Sequence, residues 1–260
     1  MNIHRTVLVS PDANLADDIT IDAFSIIGPK ATIGRGTMIG PHVILDGTVT
    51  IGENCFIGAG TIMGNAPQDI KYHGQETTVV IGNNNIIREY VTINRGSEGR
   101  GETTIGDDNM IMSYVHIGHD CAVGNKVVMA NSVTLGGCVM VEDLATIGGL
   151  TPIHQFVLIG TLAMVGGGSR CSRDVPPYCM AVGNPMRLVG LNTRGLIRNN
   201  VPGQSRSQLK QAYKILFRSN LNTSQALARI EKIDDQCDEI KHLIEFIEES
   251  SRGIVKELTK

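Results

Sequence analysis

The sequence predicts a left-handed parallel β-helix followed by a small α-helical C-terminal domain. Three observations predict it. An aliphatic residue opens every hexad between Ile105 and Val165, a small or β-branched residue usually sits four positions later, and near the C-terminus this spacing of six gives way to helical spacing. Three hexads close one triangular coil, so residues eighteen apart lie one above another, with coils spaced like neighbouring strands, about 4.8 Å apart.

The repeat frame begins at Ile3 and runs through Val9, Leu15 and Ile21 to Met63. It breaks over residues 64–76, resumes at Ile81, Ile87 and Ile93, and breaks again over 97–102. Both breaks read as loops leaving the corners of the prism, and loops on a rigid scaffold commonly carry function, which makes Asp69 and Lys71 candidates. From Ile105 the frame holds to Gly166-Gly167-Gly168. It is expected to stop near Val175-Pro176-Pro177, because proline cannot donate to a ladder.

A linker, Gly183-Asn184-Pro185, then separates a β-helix domain (residues 1–185) from a helical domain (191–260). Ser205 and Gln208 are placed as a capping box before Leu209, Ala212 and Leu216, and Asn222 and Gln225 repeat the cue. A third helical pattern runs through Ile240, Leu243, Ile244 and Ile247. A domain of this size has a marginal core and is expected to lean on the prism. Arg206, Lys210, Lys214 and Arg218 recur at i+4 in a stretch without an acid. Like charges at that spacing cost helix stability, which points to a binding face for an acidic partner.

No tryptophan and 30 glycines suit a thin repeat core. A net charge of −3 gives no reason to expect nucleic acid or an anionic membrane. No apolar run is long enough to span a bilayer, and the N-terminus lacks a signal-peptide core, so a cytoplasmic protein is expected. The six cysteines show no disulfide or zinc spacing.

Stacking gives each side chain an address. His119, Gly137 and Gln155 share one column; His116, Thr134 and Pro152 share another; Ser113, Asn131, Gly149 and Gly167 form a third, all small or polar. His116 and His119 stand on the outer wall and are not core residues. Three readings fit them: a general base, zinc ligands shared between subunits, or hydrogen bonds across a trimer seam. Gly137, one coil above His119, leaves a bare backbone N–H, and a base beside a bare amide suits acyl transfer. Asp120 is placed to fix the imidazole tautomer. Metal ligation is the poorer reading, because Cys121 points inward and no carboxylate joins the histidine column.

The segments Gln68-Asp69-Ile70-Lys71-Tyr72, His116-Ile117-Gly118-His119-Asp120-Cys121, Ile153-His154-Gln155-Phe156, Met164-Val165-Gly166-Gly167 and Asp174-Val175-Pro176-Pro177-Tyr178 together resemble the UDP-N-acetylglucosamine O-acyltransferases that begin lipid A synthesis. The resemblance covers essentially the whole chain. It implies a homotrimer with sites between subunits, moving a 3-hydroxyacyl chain from the phosphopantetheine of acyl carrier protein to the sugar 3-hydroxyl, without a cofactor or metal.

It further implies His119 as base, Asp120 as its orienting carboxylate and Gly137 N–H as oxyanion donor. Lys71, His116 and His154 would hold the sugar and neighbouring groups, and Gln68 and Cys138 would also bind substrate. Asp69 would meet the acyl 3-hydroxyl, Gln155 the acyl donor, Gly167 the end of the acyl tail, and Asn192 and Arg198 the nucleotide, with Met164 also binding substrate. Acidic acyl carrier protein would meet the basic helix.

The chain departs from the family at Cys138, where a histidine is common, and at Arg194 and Asn199, where glutamate and arginine are common. These departures imply an altered sugar contact and nucleotide site. A variant acylating a 3-amino UDP-sugar is one alternative, and a zinc-binding or non-enzymatic β-helical trimer is another. The sister N-acyltransferase normally carries an N-terminal uridine-binding domain, and here the repeat begins at residue 3.

Overall fold

The computed structural model describes residues 1–257. The chain forms three flat sheets, one of eleven strands and two of eight, parallel except for the last strand of the eleven, which wrap as the faces of a left-handed triangular prism. The first face begins at Asn2–Ile3, the second at Leu8–Val9 and the third at Asn14–Leu15. Register pairs His116 with Thr134 and Thr134 with Pro152, the expected eighteen-residue step. Openers such as Ile117 and Leu135 and fourth-position residues such as Cys121 and Val139 are fully buried along the axis.

Most corners are turned by a residue at positive φ, including Asp120 at 58°, Cys138 at 59° and Phe156 at 64°. Left-handed backbone costs an L-residue roughly 1–2 kcal/mol. The ladder offsets that cost, since the N–H of the turn residue donates to the carbonyl one coil below, as Cys138 does to His119 at 2.8 Å.

The two frame breaks lie where expected. Met63 pairs with Ile93, thirty residues on, and Ile87 with Ile111, twenty-four on, so twelve and six residues leave the prism. Both loops connect a strand of the second face to one of the third, so both leave along the same edge.

The repeat does not stop at the prolines. Cys171 and Val175 bridge to Ile153 and Ile159, and Cys179–Val182 pairs in parallel with Met164–Val165. Pro177 is accommodated because it stands at a corner, its ring against Gly160, while the neighbouring Tyr178 N–H makes the ladder bond to Thr161 at 2.7 Å. Gly183-Asn184-Pro185 is a hairpin turn rather than a linker, and Arg187–Leu191 returns antiparallel on Cys179–Val182.

Four helices follow: α1 (Thr193–Arg198), α2 (Gly203–Phe217), α3 (Thr223–Ile230) and α4 (Asp238–Glu249). The Asn222–Gln225 capping box forms, but the one expected at Ser205 does not. Pro202-Gly203 starts α2 earlier, since proline at a helix start gives up no needed donor, and the Ser205 side chain turns into the core. Leu162 and Tyr178 of the prism wall join Leu196, Leu209 and Ile240 in one apolar cluster, so the helices do lean on the prism. The chain after α4 ties back: Ser250 Oγ donates to Asp174 Oδ2 at 2.6 Å and Val255 N–H to the Asp174 carbonyl at 2.8 Å.

The outer faces differ. The first carries Met38, Phe56 and Ile86, the second Leu8 and Ile26, all exposed, and the edge between them carries stacked pairs, Phe24 on His42 and Tyr90 on Tyr114. The third face is richer in threonine, with Thr32, Thr50 and Thr104 pointing outward.

A polar clasp joins α4 to the prism. His242 Nε2 lies 3.1 Å from a Glu142 oxygen and its Nδ1 2.9 Å from the Tyr178 hydroxyl, while Thr161 donates twice to Glu142. The Glu142 hydrogen bond raises the His242 pKa against its burial, helped by the charges of Glu142, Glu245 and Glu249. Burial pushes Glu142 up, but His242 and Thr161 outweigh it and hold the carboxyl below its ordinary value. The histidine's contribution is complete below its unfolded value of 6.5 and is lost as pH rises through its raised pKa. The glutamate's is complete above 4.5 and is lost as pH falls through its lowered one. The clasp is therefore strongest between those two values. Because both groups are about one-third exposed, the expected loss from pH 6 to 9 is only about 1 kcal/mol. Urea unfolding should show that slope in the parent and not in Glu142→Gln; identical slopes would contradict it.

Candidate active site

The edge that releases both loops also carries His119 and Asp120. They turn the corner between His116–Ile117 on the second face and Ala122–Val123 on the third. Asp120 is 1% exposed at its side chain and is saturated by donors. Oδ1 accepts the N–H groups of Ser97, Arg100 and Gly101 at 3.1, 3.0 and 3.0 Å, and Oδ2 accepts Ser97 N–H at 3.0 Å and His119 Nδ1–H at 2.7 Å. A buried carboxylate is tolerated when it is this fully hydrogen-bonded. One side chain thus fixes the second loop and the imidazole together. With Nδ1 donating, the Nε2 lone pair of His119 faces away from Asp120 and is free to take a proton.

Gly137 is required by sterics. A Cβ there would strike the His119 ring, with Cε1 at 2.5 Å, so the imidazole occupies the space a side chain would need. Its N–H has no acceptor among the described residues. The contrast with the edge between the third and first faces is informative. There the corresponding amides are capped by side chains one coil above: Asn83 by Asp107, Asp107 by Asn125, and Asn125 by Asp143, at 2.6–2.7 Å. At the His119 edge that ladder is missing at Gly137, and a bare donor stands against a base. The pair can deprotonate a nucleophile and hold an oxyanion.

An open groove of about 430 Å³ lies in front, lined by Gln68, His116, His119, Gly137, His154 and Gln155. His116 Nδ1 is 2.8 Å from the Thr92 hydroxyl, and burial, then the nearby His119, lowers its pKa and keeps it neutral. His154 Nδ1–H donates to the Gln155 carbonyl at 3.1 Å, leaving Nε2 free. Asp69 sits beside the groove on the first loop. The Lys71 N–H, then the Ser97 hydroxyl, hold its carboxyl below the usual range. Lys71 is exposed on the same loop. Cys138 stands one coil above Asp120, its thiol pushed up by burial and by the charges of Asp120 and Asp69.

His119, Asp120 and Cys138 offer ligand atoms within 4.8 Å of one another. That set fits a metal poorly, because the Asp120 oxygens are already taken by four donors and the thiol is held neutral.

The other expected residues lie elsewhere within the chain. Met164 is on the first face and Gly167 near the apolar edge. Asn192 caps α1, accepting from Gly195 N–H at 3.0 Å and donating to the Leu162 carbonyl at 2.9 Å, with Arg198 ending that helix near the edge between the third and first faces, the third edge of the prism. Arg206, Lys210, Lys214 and Arg218 line a separate cleft of about 420 Å³ over α2. The stretch is not without an acid in space, since Arg218 pairs with Glu257 at 2.6 Å. The Arg206 Nε is buried without a partner among the described residues. Ser97, Thr92 and Asn94 also belong to the site, and no spacing in the sequence marks them.

Residues 174–255 match the family described as UDP N-acetylglucosamine O-acyltransferase, domain 2, and residues 30–65 and 102–137 match the bacterial transferase hexapeptide family. An acyl-[acyl-carrier-protein]–UDP-N-acetylglucosamine O-acyltransferase of Syntrophobacter fumaroxidans is 49% identical over 98% of this chain and 100% of its own. One from Thermodesulfovibrio yellowstonii is 51% identical over 98% and 99%. The solved LpxA of Acinetobacter baumannii superposes with a TM-score of 0.93 at 40% identity, covering 97% of this chain and 99% of that one. The chain belongs to the UDP-N-acetylglucosamine O-acyltransferase family.

Proposed function

We propose that this protein transfers an acyl chain from acyl carrier protein to the 3-hydroxyl of UDP-N-acetylglucosamine, the first step of lipid A biosynthesis. Beside the family membership, the observation that carries the reading is the His119 ring set against the open amide of Gly137. His119 Nε2 takes the proton of the sugar hydroxyl as its oxygen attacks the thioester carbonyl. The Gly137 N–H holds the oxyanion, and collapse expels the phosphopantetheine thiolate, which recovers the proton from the imidazolium. Asp120 stabilises that cation throughout. No step calls for a metal or a bound cofactor. The reaction belongs in the cytoplasm with its carrier, and no helix among the described residues is long and apolar enough to cross a membrane.

His116, His154, Gln68, Lys71 and Cys138 are assigned to the sugar and its neighbouring groups, Asp69 to the acyl 3-hydroxyl, and Gln155 to the donor. Asn192 and Arg198 are assigned to the nucleotide, and they lie on another edge of the same prism. A homotrimer resolves this. Three prisms meeting at the apolar edge of Phe24, Tyr90 and Tyr114 set the first face of one copy against the second face of the next. The His119 edge of one copy then approaches the third edge of its neighbour, where α1 sits. Triangular prisms so arranged do not fill the circle, and the wedge between them is a cleft for both substrates.

Mass spectrometry of products from UDP-sugars, including a 3-amino sugar, and a panel of acyl carrier protein thioesters tests the activity. An O-acylated UDP-N-acetylglucosamine is expected; acylation of the amino sugar alone would overturn the acceptor. His119→Ala should stay folded and lose roughly 10²–10⁴-fold in turnover. Gly137→Ala should lose comparably by displacing the ring, so a fully active Gly137→Ala would contradict the geometry.

Charge reversal at Lys210 and Lys214 should raise KM for acyl carrier protein, in a salt-dependent way, and spare the UDP-sugar. Equal effects on both substrates would make the stripe a fold element. Ser113, Asn131, Gly149 and Gly167 stack as a column of small or polar residues, and a Cβ at Gly167 would press on the Gly149 carbonyl at 3.1 Å. Gly167→Met is expected to favour a shorter acyl chain, each excluded methylene being worth about 0.8 kcal/mol. Unchanged preference, or equal loss at all lengths, would place the end of the groove elsewhere.

A further inference from the structure

Ser97 is 2% exposed and sits where the second loop leaves the prism. Its two donors serve different carboxylates. The backbone N–H is shared by both Asp120 oxygens at 3.1 and 3.0 Å, and the hydroxyl donates to Asp69 Oδ2 at 2.8 Å. Asp120 in turn holds His119 at 2.7 Å. Asp69, Ser97, Asp120 and His119 therefore form one unbroken hydrogen-bonded path from the first loop, through the second, to the base.

The other anchors of the first loop act at a distance from Asp69. Arg95 donates to the Gly64 carbonyl at 2.6 Å and to the Tyr72 hydroxyl at 2.8 Å, and Asn94 donates to the Ala66 carbonyl at 2.8 Å. These bonds fix where the loop leaves and returns. Among the described residues, only Ser97 ties the Asp69 carboxylate itself to the part of the prism that holds His119. The remaining Asp69 oxygen accepts the Lys71 N–H at 3.0 Å, within the same loop, so it does not supply that tie.

We propose that Ser97 is a positioning residue that registers Asp69 against the His119–Asp120 pair, so that a 3-hydroxyl on the acyl donor is read in turnover and not only in binding. This rests on the assignment of Asp69 to the acyl 3-hydroxyl. A hydroxyl bound to a carboxylate fixed relative to the base sets the thioester carbonyl at a defined distance from His119 Nε2 and Gly137 N–H. Binding energy at the hydroxyl is then used for alignment, which raises kcat. Without the serine hydroxyl, Asp69 can follow the donor hydroxyl wherever it lies; the contact survives and the alignment is lost.

The test compares two acyl carrier protein thioesters of equal length, one 3-hydroxylated and one plain, on the full-length protein and on Ser97→Ala, Ser97→Thr and Asp69→Asn. For Ser97→Ala, the ratio of kcat values for the two donors should fall about ten-fold, the scale of a lost hydrogen bond to a charged group. KM for the hydroxylated donor should change little, and the plain donor should keep its turnover within a few-fold. Ser97→Thr keeps the hydroxyl and should restore the ratio. An equal loss with both donors, or a fall carried by KM alone, would overturn the inference. If Asp69→Asn removes the discrimination but Ser97→Ala does not, Asp69 reads the hydroxyl without this coupling. If Asp69→Asn leaves discrimination intact, the Asp69 assignment itself fails and the inference falls with it.

Discussion

Every internal coil of this protein must pass its backbone hydrogen bonds to a coil above and a coil below. Nothing else in the molecule is free to violate that constraint. It favours an inward aliphatic at the openers, a compact residue at the fourth positions and a left-handed residue at most corners. Insertions are possible only at corners, and only if the chain returns in frame, as the twelve- and six-residue excursions do. Function accordingly sits at a corner, where side chains leave the ladder and amides can be left uncapped.

At that corner Asp120 concentrates several demands. It orients the imidazole, closes the second loop and, through Ser97, reaches the first. Such a group is costly to bury unless every lone pair is used. The loop amides that satisfy it are thus a condition for having a carboxylate behind the base at all.

The repeat was legible because its period is written in large apolar residues whose burial leaves no alternative. His119, Asp120 and Gly137 followed from column arithmetic, since a period fixes which residues stack. The helical tail was legible by its spacing and by Asn222, but Pro202 started α2 ahead of Ser205 and the corner-tolerant prolines carried the prism past Val175. Ser97 and Thr92 were invisible because their roles depend on loop return geometry and on a neighbouring coil, not on periodicity. Glu257 lies thirty-nine residues from Arg218, and no local pattern announces their pairing.

The hairpin of Cys179–Val182 with Arg187–Leu191 also bears on how far the stack of coils can extend. A solenoid has two open ends, each a template for another molecule's strands. Here the last ladder partner of the first face runs antiparallel, so a further parallel strand meets the wrong pattern of donors and acceptors, with helices packed alongside. The other end of the stack is made of the two-residue strands Asn2–Ile3, Leu8–Val9 and Asn14–Leu15, laddered on one side among the described residues. The closure at the hairpin alone forbids a head-to-tail chain, because the closed end would have to accept the next molecule's first coil. The protein is built like a filament and terminated against becoming one.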